Sequence, residues 1–202
     1  MAAAPSPRLL DRAELPTGAA ELARTLIGKL LVRTLPEGTV AGRIVETEAY
    51  PPGDPAGHAY HGMTPANRVL FLERGHAHVY LAYGTAWMTN VSSESAGVGG
   101  GVLIRAIEPT VGVAIMERNR GTTRLRDLAR GPGRLSAALR VGPQLDGADL
   151  CHAGPLWLGS DGLAPGDIGE SMRIGITRAA ERLLRFYKRG SPFVSGPRAL
   201  NR

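Results

Sequence analysis

The sequence predicts a single mixed α/β (α+β) domain built mainly on antiparallel β-sheet. Three observations predict it. The 202 residues match the size of one domain and contain no internal repeat or linker-like stretch. Hydrophobic residues make up 43% and charged residues 21%, the balance of a chain that buries an ordinary core. Apolar runs of strand length come in close pairs, as hairpins do, whereas segments with helical spacing are short and few.

Residues 1–8 are rich in Ala, Pro and Ser and read as a flexible tail ahead of one domain over 9–202. Thr17 can cap a helix running to about Ile27, with Leu22, Leu26 and Ile27 on one face and Gly28 ending it. Leu30–Leu35 and Thr39–Tyr50 form a hairpin around Pro36-Glu37-Gly38. The stretch 51–66, rich in Pro, Gly and His, is too irregular for an element and reads as a binding loop. His78–Ala82 and Trp87–Ser92 are strands joined near Tyr83-Gly84. Gly97–Gly101 lacks the Lys-Ser/Thr ending of a phosphate-binding loop and reads as a flexible connection into the strand Val102–Ile107. Short helices are expected near 110–119 and from Pro132, and late strands at Pro155–Leu158, Arg173–Thr177 and Leu183–Tyr187.

No stretch approaches the roughly 18 apolar residues of a membrane span, and the N-terminus has no secretory pattern. The lone Cys151 allows neither an internal disulfide nor a cysteine-rich metal site. A cytoplasmic protein with no membrane contact is expected. The net charge of +6 favours an anionic partner. Residues 1–100 hold eight basic and nine acidic groups; residues 101–202 hold sixteen and nine, including seven arginines between 117 and 140. A merely solvated face would show the same basic run.

Three segments carry candidate chemistry. In Arg43-Ile-Val-Glu-Thr-Glu-Ala-Tyr50, strand alternation puts Ile44, Glu46, Glu48 and Tyr50 on one face. An exposed edge strand would look alike, but in a pocket such a carboxylate can activate water. The histidines His58 and His61 lie nearby, at no established metal-ligand spacing. Around Tyr80 and Tyr83 aromatic residues gather, and Tyr83 falls at the turn, where an exposed ring can wedge between bases. In the third segment, Arg105 interrupts an apolar strand and needs a carboxylate, backbone or phosphate partner.

These residues, with their order, resemble the methylpurine (alkyladenine) DNA glycosylases. The resemblance rests on Gly-Arg-Ile-Val-Glu-Thr-Glu-Ala-Tyr (42–50), His58, Thr-Pro-x-Asn-Arg (64–68), Val-Tyr-x-x-Tyr-Gly (79–84), Asn90, Leu-x-Arg-Ala-x-Glu-Pro (103–109), Gly-Pro (131–132) and Arg-Phe-Tyr-x-Arg-Gly-Ser-Pro (185–192), and spans about residues 10–196. It implies a curved sheet with a protruding β-hairpin, and a monomeric base-excision repair enzyme that needs no metal or other cofactor. Its partner would be double-stranded DNA containing alkylated or deaminated purines, flipped from the helix and cut at the N-glycosidic bond to leave an abasic site. By resemblance Glu48 is the general base and Arg105 helps place the water and the carboxylate. Tyr50, His58, Tyr80, Asn90, Leu103 and Ile174 form the base pocket, and Tyr83 fills the gap in the helix. Thr64, Asn67, Arg68 and Arg134 are expected at the DNA backbone.

The sequence departs from the pattern at His78, where a tyrosine is familiar, at Thr85-Ala86-Trp87-Met88, and in a loop from Tyr50 to His58 one residue shorter. A neutral purine needs an acid to help it leave, and Glu46 is a candidate by position alone. An inactive DNA-binding module, a metal-dependent nuclease using Glu46, Glu48 and His58, and a sugar hydrolase with paired carboxylates are the competing readings.

Overall fold

The computed structural model describes residues 7–201. In chain order the elements are β1 (Arg8–Leu9), α1 (Ala19–Leu26), β2 (Leu30–Leu35), β3 (Gly38–Tyr50), β4 (Ala77–Ala82), β5 (Ala86–Ser92), β6 (Gly101–Val111), α2 (Val113–Arg120), α3 (Pro132–Ala138), β7 (Leu156–Ser160), β8 (Ile168–Ser171) and β9 (Arg185–Lys188). Among the described residues these nine strands form one open antiparallel sheet, seven of them in the order β1-β7-β2-β3-β6-β5-β4 and the other two, β8 and β9, off that path. Strand β3 is long enough to be shared: β2 pairs with its first half, β9 with Glu46–Glu48 on the same edge, and β6 along the other edge. Strand β8 pairs with β9 beyond it.

Cross-strand partners share a face of a sheet. A single row therefore crosses six strands: His78 opposite Asn90, Asn90 opposite Leu103, Leu103 opposite Glu48, Glu48 opposite Arg185, and Arg185 opposite Ser171. The neighbouring row, offset by one residue, runs Val91–Val102–Ala49 and carries apolar side chains. That second face is the core. Helix α1 buries Leu22, Ala23 and Leu26 against β3 and β6, and the Thr47 hydroxyl donates to the Ala23 carbonyl at 2.9 Å. Helix α3 packs on β5 and β6 over the same face, with Thr89 and Ser136 hydroxyls 3.0 Å apart. Burying one such leucine contributes about 1.5–3 kcal/mol.

Several boundaries differ from those the sequence predicts. Residues 1–6 of the expected tail lie outside the described residues, but Arg8 belongs to β1, opposite Ser160. Thr17 is exposed and does not cap α1; Gly18 takes that position, and the Ala19 N–H donates to Glu94 Oε1 at 3.0 Å. Arg173–Thr177 is a loop: the Ile174 N–H bonds to the Glu48 side chain and the Arg173 side chain to the Ala49 carbonyl, so the segment meets β3 without forming a backbone ladder. The neighbouring strand is β8, whose Ile-Gly-Glu-Ser has no apolar run to mark it. The helix expected from 110 starts at Val113, because β6 continues to Val111. The end of the glycine loop is tightly packed: a Cβ on Gly99 would lie 2.5 Å from the Phe71 ring and one on Gly101 2.7 Å from Leu70, so these glycines allow close approach.

Glu94→Ala removes the acceptor at the start of α1 and is expected to cost about 1–2 kcal/mol. Urea denaturation of the two proteins checks this, and an unchanged midpoint would leave the helix start to packing alone.

Candidate active site

The alternation that predicts Glu46 and Glu48 on one face holds for that pair and fails just before it. The register between β3 and β6 shifts between Ile44 and Glu46. Ile44 accordingly joins the main core with Ala49, while Val45 packs with Ala106, Tyr187 and Val194.

Both carboxylates are fully buried, and their partners divide their roles. Glu46 accepts from Arg105 Nε and Arg185 Nε, each at 2.8 Å, from the Ser195 N–H at 2.6 Å and from the Ser195 hydroxyl at 3.0 Å. Burial alone would push its pKa up; the Arg105 and Arg185 charges and these hydrogen bonds reverse that and hold it below the ordinary carboxylate range. A carboxyl so held has no proton to donate, so Glu46 is not the acid its position suggested. Glu48 is met more sparsely. Its Oε1 accepts from the Ile174 N–H at 2.7 Å, and its Oε2 accepts from the Tyr50 hydroxyl at 2.9 Å and lies 3.1 Å from Arg105 Nη1. A carboxylate offers about four acceptor positions, so one stays free. Arg105 bridges the two carboxylates, which answers the need for a partner on its apolar strand.

Tyr50, Ile174 and Arg105, the three partners of Glu48, line one cavity of about 340 Å³. His58, Tyr80, Asn90 and Leu103 line it too, so every expected pocket residue converges there. The His58 and Tyr80 rings lie 4.0 Å apart between centroids, and Tyr80 stacks on His78 at 5.5 Å. Burial raises the Tyr80 hydroxyl to about 12 and lowers His58, leaving a wall of neutral rings at neutral pH. His78 and Met88 also line the cavity, as do Gly100 and Gly101 from the glycine loop.

At the cavity rim the β4–β5 hairpin carries Tyr83, 89% exposed. Its turn has φ of +52° at Tyr83 and +68° at Gly84, the two-residue pattern of a type I′ turn, with Thr85 N–H donating to the Ala82 carbonyl at 3.0 Å. The 51–66 loop forms another wall and is anchored from below. Asp54, fully buried, pairs with Arg173 at 2.9 Å and Arg182 at 3.0 Å, while the Arg173 guanidinium sits 4.7 Å over the Tyr50 ring. Asn67, expected at DNA, is instead buried: its amide donates to the His58 and Gly62 carbonyls and accepts from the Thr64 N–H. Thr64, Arg68 and Arg134 are exposed.

Sequence reasoning missed Asp54, Arg173, Arg185 and Ser195, which hold the site from behind the cavity wall. The two arginines sit in otherwise apolar surroundings, the signal that singled out Arg105. Within the basic run, Arg120, Arg126 and Arg130 each donate through Nε to a backbone carbonyl, so part of the run ties down the fold. Arg120, Arg134 and Arg140 border a second, shallower depression of about 590 Å³ beside Trp87. Among the described residues no three His, Cys, Asp or Glu side chains come together as a ligand set.

Comparison with known proteins adds a family. A family profile described as methylpurine-DNA glycosylase matches residues 14–192. A protein of Mesorhizobium japonicum, provisionally named a 3-methyladenine DNA glycosylase, is 70% identical over 191 residues, covering 95% of this chain and 92% of that one. Relatives given the same provisional name are 52% identical in Paraburkholderia phytofirmans, covering 95% and 90%, and 47% identical in Methanoculleus marisnigri, covering 86% and 92%.

Glu46→Gln leaves two buried guanidiniums without their full counter-charge and is expected to lower stability at pH 7 by on the order of 3 kcal/mol. The folded carboxyl titrates below its unfolded value near 4.3, so its contribution is complete above about pH 5 and fades as pH falls further. The gap between wild type and variant should therefore narrow on acidification. Denaturant midpoints at pH 7 and pH 4 test this; an equal gap at both would show that the charge is not its source.

Proposed function

The chain belongs to the methylpurine-DNA glycosylase family and is a DNA glycosylase, a hydrolase of N-glycosyl bonds; on that premise we propose how its site performs the reaction and on which bases. The substrates are alkylated or deaminated purines in duplex DNA, with 3-methyladenine, for which its relatives are named, among them. The observation that carries this reading is the buried Glu48 carboxylate held by three partners that line the cavity, beneath an exposed hairpin tyrosine.

A base stacked in a duplex hides its C1′ from attack, so the nucleotide must leave the helix at a cost of a few kcal/mol. Tyr83 repays part of that cost by filling the gap. Its left-handed backbone, next to Gly84, holds the ring outward. The flipped base enters among Tyr50, His58 and Tyr80, and Asn90 and Leu103 form the floor from the same row of the sheet as Glu48. As the bond to the base lengthens, its electron pair passes to the base, which neutralises a cationic alkylpurine, whereas a deaminated purine takes a proton from solvent; the sugar gains positive charge, and water attacks from the opposite side. Glu48 accepts a proton of that water on its open position and stabilises the sugar cation. The Ile174 N–H, the Tyr50 hydroxyl and Arg105 keep the carboxylate aimed. Tyr50 is itself fixed at both ends, by Glu48 at its hydroxyl and by Arg173 over its ring. Thr64, Arg68 and Arg134, all exposed, contact the DNA backbone. No helix among the described residues is long and apolar enough to cross a membrane, and the same reading places a monomer in the cytoplasm.

Glu48→Gln should reduce base release by about 10²–10⁴-fold while leaving binding to a lesion-containing duplex intact. Mass spectrometry of free bases from methylated duplex DNA, with wild type and variant side by side, reads the first part; release at near wild-type rate would remove Glu48 from the role. Tyr83→Ala should weaken binding to an abasic-site duplex at least fivefold and leave binding to undamaged duplex within twofold. Equal abasic-site affinity in a titration would take Tyr83 out of the helix gap.

A further inference from the structure

His78 is buried in the cavity wall, and the reaction as described does not use it. It stands opposite Asn90 at the far end of the row that carries Glu48, and the Asn90 amide donates to its carbonyl at 3.2 Å. Strand alternation places His78 and Tyr80 on the cavity side of β4, with Val79 between them in the core. The imidazole is oriented from behind. Its Nδ1 lies 3.3 Å from Asp146 Oδ1, an oxygen already fixed by the Val79 N–H at 2.9 Å. A carboxylate only accepts, so Nδ1 carries the hydrogen of that bond and a neutral ring leaves Nε2 as an acceptor. Nε2 has no hydrogen-bond partner among the described residues, one of only three buried side-chain polar atoms in that condition. The other two are the Nε atoms of Arg33 and Arg173, arginines that donate elsewhere, Arg33 through Nη1 and Arg173 through both Nη atoms.

An orphaned buried acceptor demands a donor. Asp146 is not part of the cavity wall, so with Nδ1 turned to it, Nε2 is the ring's one uncommitted polar atom, itself buried, on a residue that the wall carries. We infer that His78 is a specificity-determining residue whose Nε2 accepts a hydrogen bond from an N–H on the edge of the flipped base. Burial lowers the imidazole pKa and His58 nearby lowers it further, against the opposing pull of Asp146, which keeps Nε2 an acceptor at neutral pH. The inference rests on the glycosylase reading above. It names the class of purine favoured: one with a hydrogen on a ring or exocyclic nitrogen, such as hypoxanthine, over one whose corresponding edge is closed by carbon, such as 1,N6-ethenoadenine.

The test compares single-turnover excision of hypoxanthine and 1,N6-ethenoadenine from otherwise identical duplexes, read as the ratio of the two rates. Within one preparation that ratio does not depend on the fraction of folded enzyme. His78→Asn keeps a donor for Asp146 and loses the Nε2 position; His78→Gln keeps a polar atom near Nε2 and loses the Asp146 contact. The expected result is a wild-type ratio favouring hypoxanthine by about tenfold, the worth of one buried hydrogen bond. It should collapse to below about threefold in His78→Asn and be retained in His78→Gln. An unchanged ratio in His78→Asn, a parallel loss on both lesions, or a wild type indifferent to the two bases would overturn the inference. Release of neither base by wild type, with methylpurines also left in place, would instead overturn the underlying glycosylase reading and this inference with it.

Discussion

A carboxylate with no solvent contact must be answered by positive charge and hydrogen-bond donors, and in this fold that constraint is met by Glu46 between Arg105 and Arg185. The pair of guanidiniums comes from β6 and β9, on either side of β3, and Ser195 adds its N–H and hydroxyl from the C-terminal segment. Three otherwise separate pieces of chain are thereby referred to one side chain on β3. Adding Glu48 makes the set two carboxylates and two guanidiniums, balanced in charge. Desolvating an isolated ion costs several kcal/mol, so that balance is what makes a doubly anionic strand tolerable in the interior. Glu48 inherits its geometry from it, because Arg105 is held by Glu46 before it reaches Glu48.

Much of this was legible from local sequence. Alternation brought Glu46 and Glu48 to one face, and the tyrosine-glycine pair marked the hairpin turn. The cavity residues named by family resemblance all converge. What failed to show was long-range. Arg185 and Ser195 stand 139 and 149 residues from Glu46, and no local pattern announces that they meet it. Glu94 replaces the expected Thr17 cap for the same reason, 75 residues away. The bulge before Glu46 cannot be read from a strand with apolar residues on both sides. Asn67 shows the converse: a polar residue in an exposed loop looks available for DNA, yet three local backbone groups consume its amide.

The arginine-rich segment illustrates how one composition serves two ends. A guanidinium has five donors, so Arg120, Arg126 and Arg130 can each spend Nε on a backbone carbonyl and keep other donors. Lysine, with its single compact ammonium, could not do both in one fixed geometry. The scarcity of lysine in this chain, only Lys29 and Lys188, fits a surface where basic residues also act as braces.

The division of the sheet into two faces has an evolutionary consequence. Odd and even positions of β4, β5 and β6 answer to separate demands: 78, 80, 88, 90 and 103 shape the cavity, while 79, 89, 91, 102 and 104 face the core. A substitution in the first set alters what the cavity accepts without opening a void under α1 or α3. Such a scaffold can drift in substrate preference at little thermodynamic cost, so that close relatives with the same interior could come to repair different damage.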